Sequence, residues 1–89
     1  MRAVITVVGQ DKVGIIYEVS KALAENNVNI LDISQTIMQD MFTMIMLVDI
    51  DKTKVAVSKL SSVLDEVGGR IGVSIKIQHE DLFNSMHRI

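Results

Sequence analysis

Apolar and polar residues change their period several times along this chain, and each change marks an element. Residues 2–8 are nearly all β-branched or small, with Ala3, Ile5 and Val7 pointing one way and Val4, Thr6 and Val8 the other. Apolar residues on both faces predict a central strand, covered on both sides. A polar stretch with two glycines, Gly9-Gln10-Asp11-Lys12-Val13-Gly14, follows. Residues 15–26 then switch to helical spacing, with Ile15, Val19, Ala22 and Leu23 on one stripe and Glu18, Lys21 and Glu25 off it. Asp11 is placed to cap or precede the first turn, and Asn26-Asn27 supplies the stop, because Asn tolerates the left-handed conformation.

Residues 30–38 predict a strand of mixed character. Leu31, Ile33 and Ile37 share a face interrupted by Gln35, and Asp32, Ser34 and Thr36 share the other. One polar face points to an edge or an interface. Gln39-Asp40-Met41 reads as the hairpin turn, and residues 42–50 as a second strand apolar on both faces. Thr53 is a candidate cap for a helix carrying Val57, Leu60, Val63, Leu64 and Val67, which Gly68-Gly69 should end. Ile71, Val73, Ile75 and Ile77 alternate with polar or small residues, as in an edge strand. Leu82, Phe83, Met86 and Ile89 fall at helical spacing in a polar tail.

The order β-α-β-β-α-β predicts an α+β, ferredoxin-like domain over residues 1–79, followed by an amphipathic helical tail over residues 80–89. Right-handed crossovers place both helices on one face of a four-stranded antiparallel sheet of order 4-1-3-2. That order puts the first and third strands in the middle, and these are the two strands with apolar residues on both faces. The sheet face away from the helices then needs a cover: a second subunit, the tail, or a partner.

At 89 residues the chain makes one domain. A domain of this size buries only roughly 60–65% of its unfolded surface, so association is a natural source of further stability. The net charge of −2 and the absence of long basic runs argue against nucleic-acid binding. The lack of cysteine removes disulfide, thiolate-zinc and cysteine-nucleophile chemistry and fits a cytoplasmic protein. No apolar run approaches the ~20 residues of a membrane span.

Candidate chemistry is confined to the glycine loop. It lacks the Lys-Ser/Thr of a phosphate loop, because Ile15-Ile16 follow Gly14, and it lacks the third glycine of a dinucleotide fingerprint. Two readings remain: a tight strand-to-helix turn, or backbone N–H groups at a helix start that receive an anionic group such as a carboxylate. Asn29, at the entry to the second strand, carries an amide that both donates and accepts. His79 and His87 lack the neighbours of a metal site. No catalytic set and no cofactor motif emerges, so an enzyme is not expected.

The ordered set Gly9-x-Asp11-Lys12-x-Gly14-Ile15-Ile16, Leu23-Ala24 and Asn27-Val28-Asn29-Ile30-Leu31-Asp32, with Phe42-x-Met44-x-Met46-x-Val48 later, resembles the ACT domain. The likeness is strongest to small stand-alone ACT proteins of bacteria and archaea, and extends to ACT units of glycine-cleavage transcriptional regulators. It implies a regulatory domain that binds a small ligand, often an amino acid, between two copies. Carried over by position, the ligand contacts are the first loop of one copy, with Gly14 as its glycine, and Asn29 of the other. The site then comprises Gly9, Gln10, Asp11, Lys12, Val13, Gly14 and Asn29. Asp11 stands where serine-binding members have asparagine and Gly9 where they have a contacting histidine, so the resemblance does not carry serine recognition with it. With no second domain in the sequence, output passes through an unknown protein partner. The competing expectation is an interaction module without a small ligand, in which the tail docks on a partner.

Overall fold

The two strands apolar on both faces occupy the middle of the sheet. In the computed structural model, which describes residues 1–86, the elements are β1 (Arg2–Gln10), α1 (Ile15–Glu25), β2 (Asn29–Met38), β3 (Met41–Asp49), α2 (Val57–Ile71), β4 (Val73–His79) and α3 (Glu80–Met86). The strand order is β2-β3-β1-β4, all antiparallel, which is the expected ferredoxin-like arrangement. His87 and Ile89, named above for the metal and tail readings, lie outside the described residues.

Register decides which residues face the helices. Ile5 sits beside Met46 of β3 and Ile77 of β4, and Val7 beside Met44 and Ile75. Ile15, Val19, Ala22 and Leu23 of α1, with Leu60, Leu64 and Val67 of α2, close this layer. Each fully buried side chain of this kind contributes roughly 1.5–3 kcal/mol. The core therefore holds the two helices on the sheet, and the loop between β1 and α1 is carried along with them.

The structure corrects several boundaries. Asp11 does not cap α1: the N-cap is Gly14, at φ 93°, and no side chain bonds the first turn. Thr53 does not cap α2, whose N-cap is Ala56; its hydroxyl accepts instead from the Val55 N–H at 3.4 Å, a local turn. Gly68-Gly69 lies inside α2, which runs on to Ile71 and ends at Gly72 in the left-handed conformation. The hairpin turn is Gln39-Asp40 alone, with Met41 already paired to Met38. A bulge between Ile30 and Asp32 sets Leu31 outside the pairing, so Ile30 rather than Leu31 shares the helix-side row with Ile33.

The tail folds back as α3 and packs on β1 and β4 from the side opposite α1 and α2. Arg2 anchors it, donating from Nε and Nη2 to Glu80 Oε1 at 3.2 and 3.0 Å. Val4, on that outer face, is 5% exposed.

Candidate functional site

Two glycines frame the loop for different reasons. Gly9 is the penultimate residue of β1, between Phe42 and Val73. A Cβ there would stand 2.6 Å from Val73 Cγ1 and 3.0 Å from its Cα, so the position is reserved for packing between adjacent strands. Gly9 and Gln10 belong to the sheet, and the loop proper is Asp11 to Gly14. Gly14 has open space around it and a φ of +93°, so its role is the turn that starts α1. Its carbonyl accepts from Glu18 N–H at 2.9 Å, and the preceding N–H groups of α1 have no side-chain cap.

Each remaining loop residue has a distinct setting. The Asp11 N–H donates to the Asp40 carbonyl at 2.9 Å, tying the loop to the β2–β3 turn. The Asp11 carboxylate is exposed and makes no bond among the described residues. Lys12 reaches the other way. A Cβ at Gly72 would stand 2.8 Å from its Nζ, so the ammonium rests on the C-terminal end of α2, where carbonyl partial charges favour a cation. Lys12, itself exposed, thus lies beside the α2–β4 turn without a hydrogen bond or ion pair among the described residues. Val13 is fully exposed at the tip.

A cavity of about 330 Å³ opens beside the loop, lined by Asp11, Lys12, Gly14, Ile15, Ile16, Tyr17, Gln35, Ile37 and Phe42. Ile15 and Phe42 form an apolar floor, Ile16, Tyr17 and Ile37 are exposed on its walls, and Gln35 is the polar group from β2. Ile15, Ile16, Tyr17, Gln35, Ile37 and Phe42 were not among the site residues read from sequence. Gln35 had left a trace as the one polar residue interrupting an apolar row.

Asn29 is not at this cavity. It pairs with Asp49 at the far end of β2, whereas Ile37 pairs with Phe42 beside the loop. Eight residues of strand separate the two ends, roughly 26 Å. Around Asn29 a second cavity of about 250 Å³ is lined by Asn27, Asp49, Asp51 and Lys52. The Met1 ammonium closes its acidic side, pairing with Asp51 and lying 3.9 Å from Asp49 Oδ1. The hydrogen bond to Asp51 raises the pKa of that ammonium above its ordinary value. Between the two ends, every residue of β2 from Leu31 to Met38 is exposed, including Leu31, Ile33 and Ile37.

A glycine-marked loop, a βαββαβ sheet and an open β2 edge match a known family. The model of the ACT domain covers residues 2–78. The chain belongs to the ACT domain family. Over its full 89 residues it is 61% identical to a UPF0237 protein of Clostridium acetobutylicum, covering 100% of both chains. An ACT domain protein from Streptococcus pneumoniae is 42% identical, with a TM-score of 0.82 and 93% of each chain covered. The regulatory subunit of aspartate kinase from Thermus thermophilus is 26% identical, with a TM-score of 0.67 over 86% of this chain and 50% of that one. The ACT domain is a regulatory, ligand-binding domain. Among the described residues no helix is long and apolar enough to cross a membrane, and no His, Cys, Asp or Glu cluster could hold a metal ion.

Proposed function

We propose that this ACT domain senses a small molecule, an amino acid, as a homodimer, and passes the result to a partner protein. One observation carries the reading. The two halves of the site expected from the family pattern lie at opposite ends of a single exposed edge strand. Antiparallel pairing of two β2 strands, with Asn29 opposite Ile37 of a second copy, centres a two-fold axis on Ile33. Symmetry then sets Asn29 of each copy beside the other's loop cavity, and the exposed apolar residues of the edge are covered. In this arrangement Asp11 receives the ligand's ammonium group, and the uncapped N–H groups of α1 face its carboxylate. Aspartate kinase supplies an example of an ACT-like unit in a regulatory subunit, which supports the regulatory half of the reading.

A complementation experiment tests this. Calorimetry against a panel of the common amino acids should find at least one ligand, and Asp11→Ala and Asn29→Ala should each abolish its binding. A mixture of the two variants, refolded together, should regain it. Each mixed dimer carries one native site, with Asp11 from one chain and Asn29 from the other. Loss in both variants without recovery on mixing would show that the site does not span two copies. Silence across the panel would remove the sensing function and leave the interaction-module reading, for which Leu82, exposed on α3, is the supporting residue.

A further inference from the structure

The cavity beside the loop has a polar end and an apolar end. At the polar end stand the exposed Asp11 carboxylate and the first N–H groups of α1, which no side chain caps. The remainder is almost all hydrocarbon. Ile15 and Phe42, 2% and 3% exposed, make the floor, and Ile16 and Ile37, 42% and 54% exposed, rise on either side. Ile37 is paired with Phe42, so both lie next to the loop. Gln35 is paired with Met44, two residues farther along β2, about 6.8 Å from Ile37 on the same face. Its amide is exposed at the far rim, where water satisfies it, so it places no demand on a ligand.

Charge restricts what fits. Asp11 is the one carboxylate in the lining, and the ligand's α-ammonium group takes it. The Tyr17 ring, which also attracts cations, already has the Lys21 ammonium 5.9 Å from its centroid. Lys12 lines the cavity with its stem, but its ammonium lies beside Gly72, next to the start of β4. β4 is the sheet edge opposite β2, with β3 and β1 between them. A second charge on the ligand, of either sign, would thus be stripped of water against isoleucine and phenylalanine with no opposite charge to meet it. The volume of about 330 Å³ is near the lower end of small-molecule sites, about 300–1,000 Å³, and suits a ligand the size of one amino acid.

We infer that Ile15, Ile16, Ile37 and Phe42 form the pocket for the ligand's side chain, and that this pocket selects amino acids with an uncharged, apolar side chain, such as leucine, isoleucine and methionine. Glycine, serine and the charged amino acids are rejected, the first two for want of apolar surface and the last for want of a counter-charge. The inference rests on the amino-acid sensing proposed above and adds to it the residues that choose among ligands. Each ligand methylene buried on this surface strengthens binding about fourfold. Leucine carries three more side-chain carbons than alanine and should bind roughly 50-fold more tightly.

Calorimetry on the full chain, with leucine, isoleucine, methionine, alanine, glycine, serine, glutamine, aspartate and lysine as separate ligands, reads the selection directly. Affinity should rise with the number of apolar side-chain carbons, and aspartate and lysine should bind at least ~100-fold more weakly than leucine. Ile16→Ala should reduce the leucine-to-alanine affinity ratio about fivefold, because leucine alone reaches that wall. Ile16 is on the exposed side of α1 and alanine is the stronger helix former, so the variant keeps the fold. Gln35→Leu should tighten leucine binding several-fold by extending the apolar row. Tightest binding by glutamine or serine, lost in Gln35→Leu, would overturn the apolar selection while leaving the sensing function intact. A leucine-to-alanine ratio near one, or one that Ile16→Ala does not change, would overturn the pocket in the same way. Binding by none of the nine would remove the sensing function and this inference with it.

Discussion

Gly68 and Gly69 are adjacent in α2, and alanine should have opposite effects at the two positions. At Gly68 a Cβ would stand 2.5 Å from the Val73 carbonyl oxygen. That oxygen belongs to the backbone of β4, which is fixed in register against β1, so no flexible side chain can give way. Helix and strand must separate, an overpacking cost of about 1–3 kcal/mol. Alanine's better helix propensity returns up to about 1 kcal/mol. At Gly69 nothing lies within 4 Å of the new methyl, and only the propensity gain of roughly 0.5–1 kcal/mol operates.

The propensity gain is common to both, so the two variants should differ by the overpacking cost of about 1–3 kcal/mol, with Gly69→Ala above wild type and Gly68→Ala below it. In a domain of this size that separates their melting temperatures by roughly 5–20 °C. Thermal unfolding followed by circular dichroism, checked by urea midpoints, measures it. Equal stabilisation by both substitutions would refute the reasoning, because it would mean that α2 stands off β4 at Val73. That contact also matters for the site. It seats the turn at Gly72, on which Lys12 rests, and so helps to hold the loop at its end of the sheet.

Three further outcomes follow from local contacts. Gly72 is at φ +79° with Lys12 Nζ in its Cβ space, so Gly72→Ala should cost about 1–2 kcal/mol for the left-handed backbone alone. It should cost less in a Lys12→Met background, and a double-mutant cycle should give at least ~0.5 kcal/mol of coupling; strict additivity would place Lys12 elsewhere. The raised pKa of the Met1 ammonium, caused first by its bond to Asp51, makes its contribution to stability complete below the ordinary value near 8 and lost as pH rises through the higher folded value. The melting-temperature gap between wild type and Asp51→Asn should accordingly be full near pH 7 and close as the solution becomes alkaline, and a gap that does not change from neutral to alkaline pH would rule out the ion pair. Arg2→Ala should raise amide exchange in α3 and leave β1 and β3 protected; unchanged α3 exchange would show that the Arg2–Glu80 pair does not hold the tail.

The sheet was legible in the sequence because its signals are redundant. Residues apolar on both faces in two separate runs force those strands to the centre, and each core residue in one strand has a partner at the matching place in the next. A single ambiguous residue cannot move such a pattern. The boundaries were less legible because they turn on single contacts made in three dimensions. Gly68-Gly69 has the sequence of a helix stop, yet Gly68 is there for the close approach of Val73, and the stop is Gly72. Leu31 has the alternation of a paired residue, yet a bulge removes it from the row. Asp11 has the chemistry of a cap, yet Gly14 takes that place and leaves the carboxylate free.

The same distinction applies to the site. Sequence located the loop because five polar or glycine residues among the six from Gly9 to Gly14 are conspicuous in an apolar chain. It could not sort them by role, since Gly9 spaces two strands, Lys12 lies beside a helix end, and the Asp11 carboxylate and the first N–H groups of α1 have no side-chain partner among the described residues. It also could not show that Asn29 lies a strand's length from the loop. That distance is what supports the proposed two-copy site, because a loop and an Asn29 at opposite ends of one open edge come together only through a second copy. Ligand affinity would then depend on protein concentration, which is how a domain of this size, acting through association, could report a metabolite to whatever binds the assembled form.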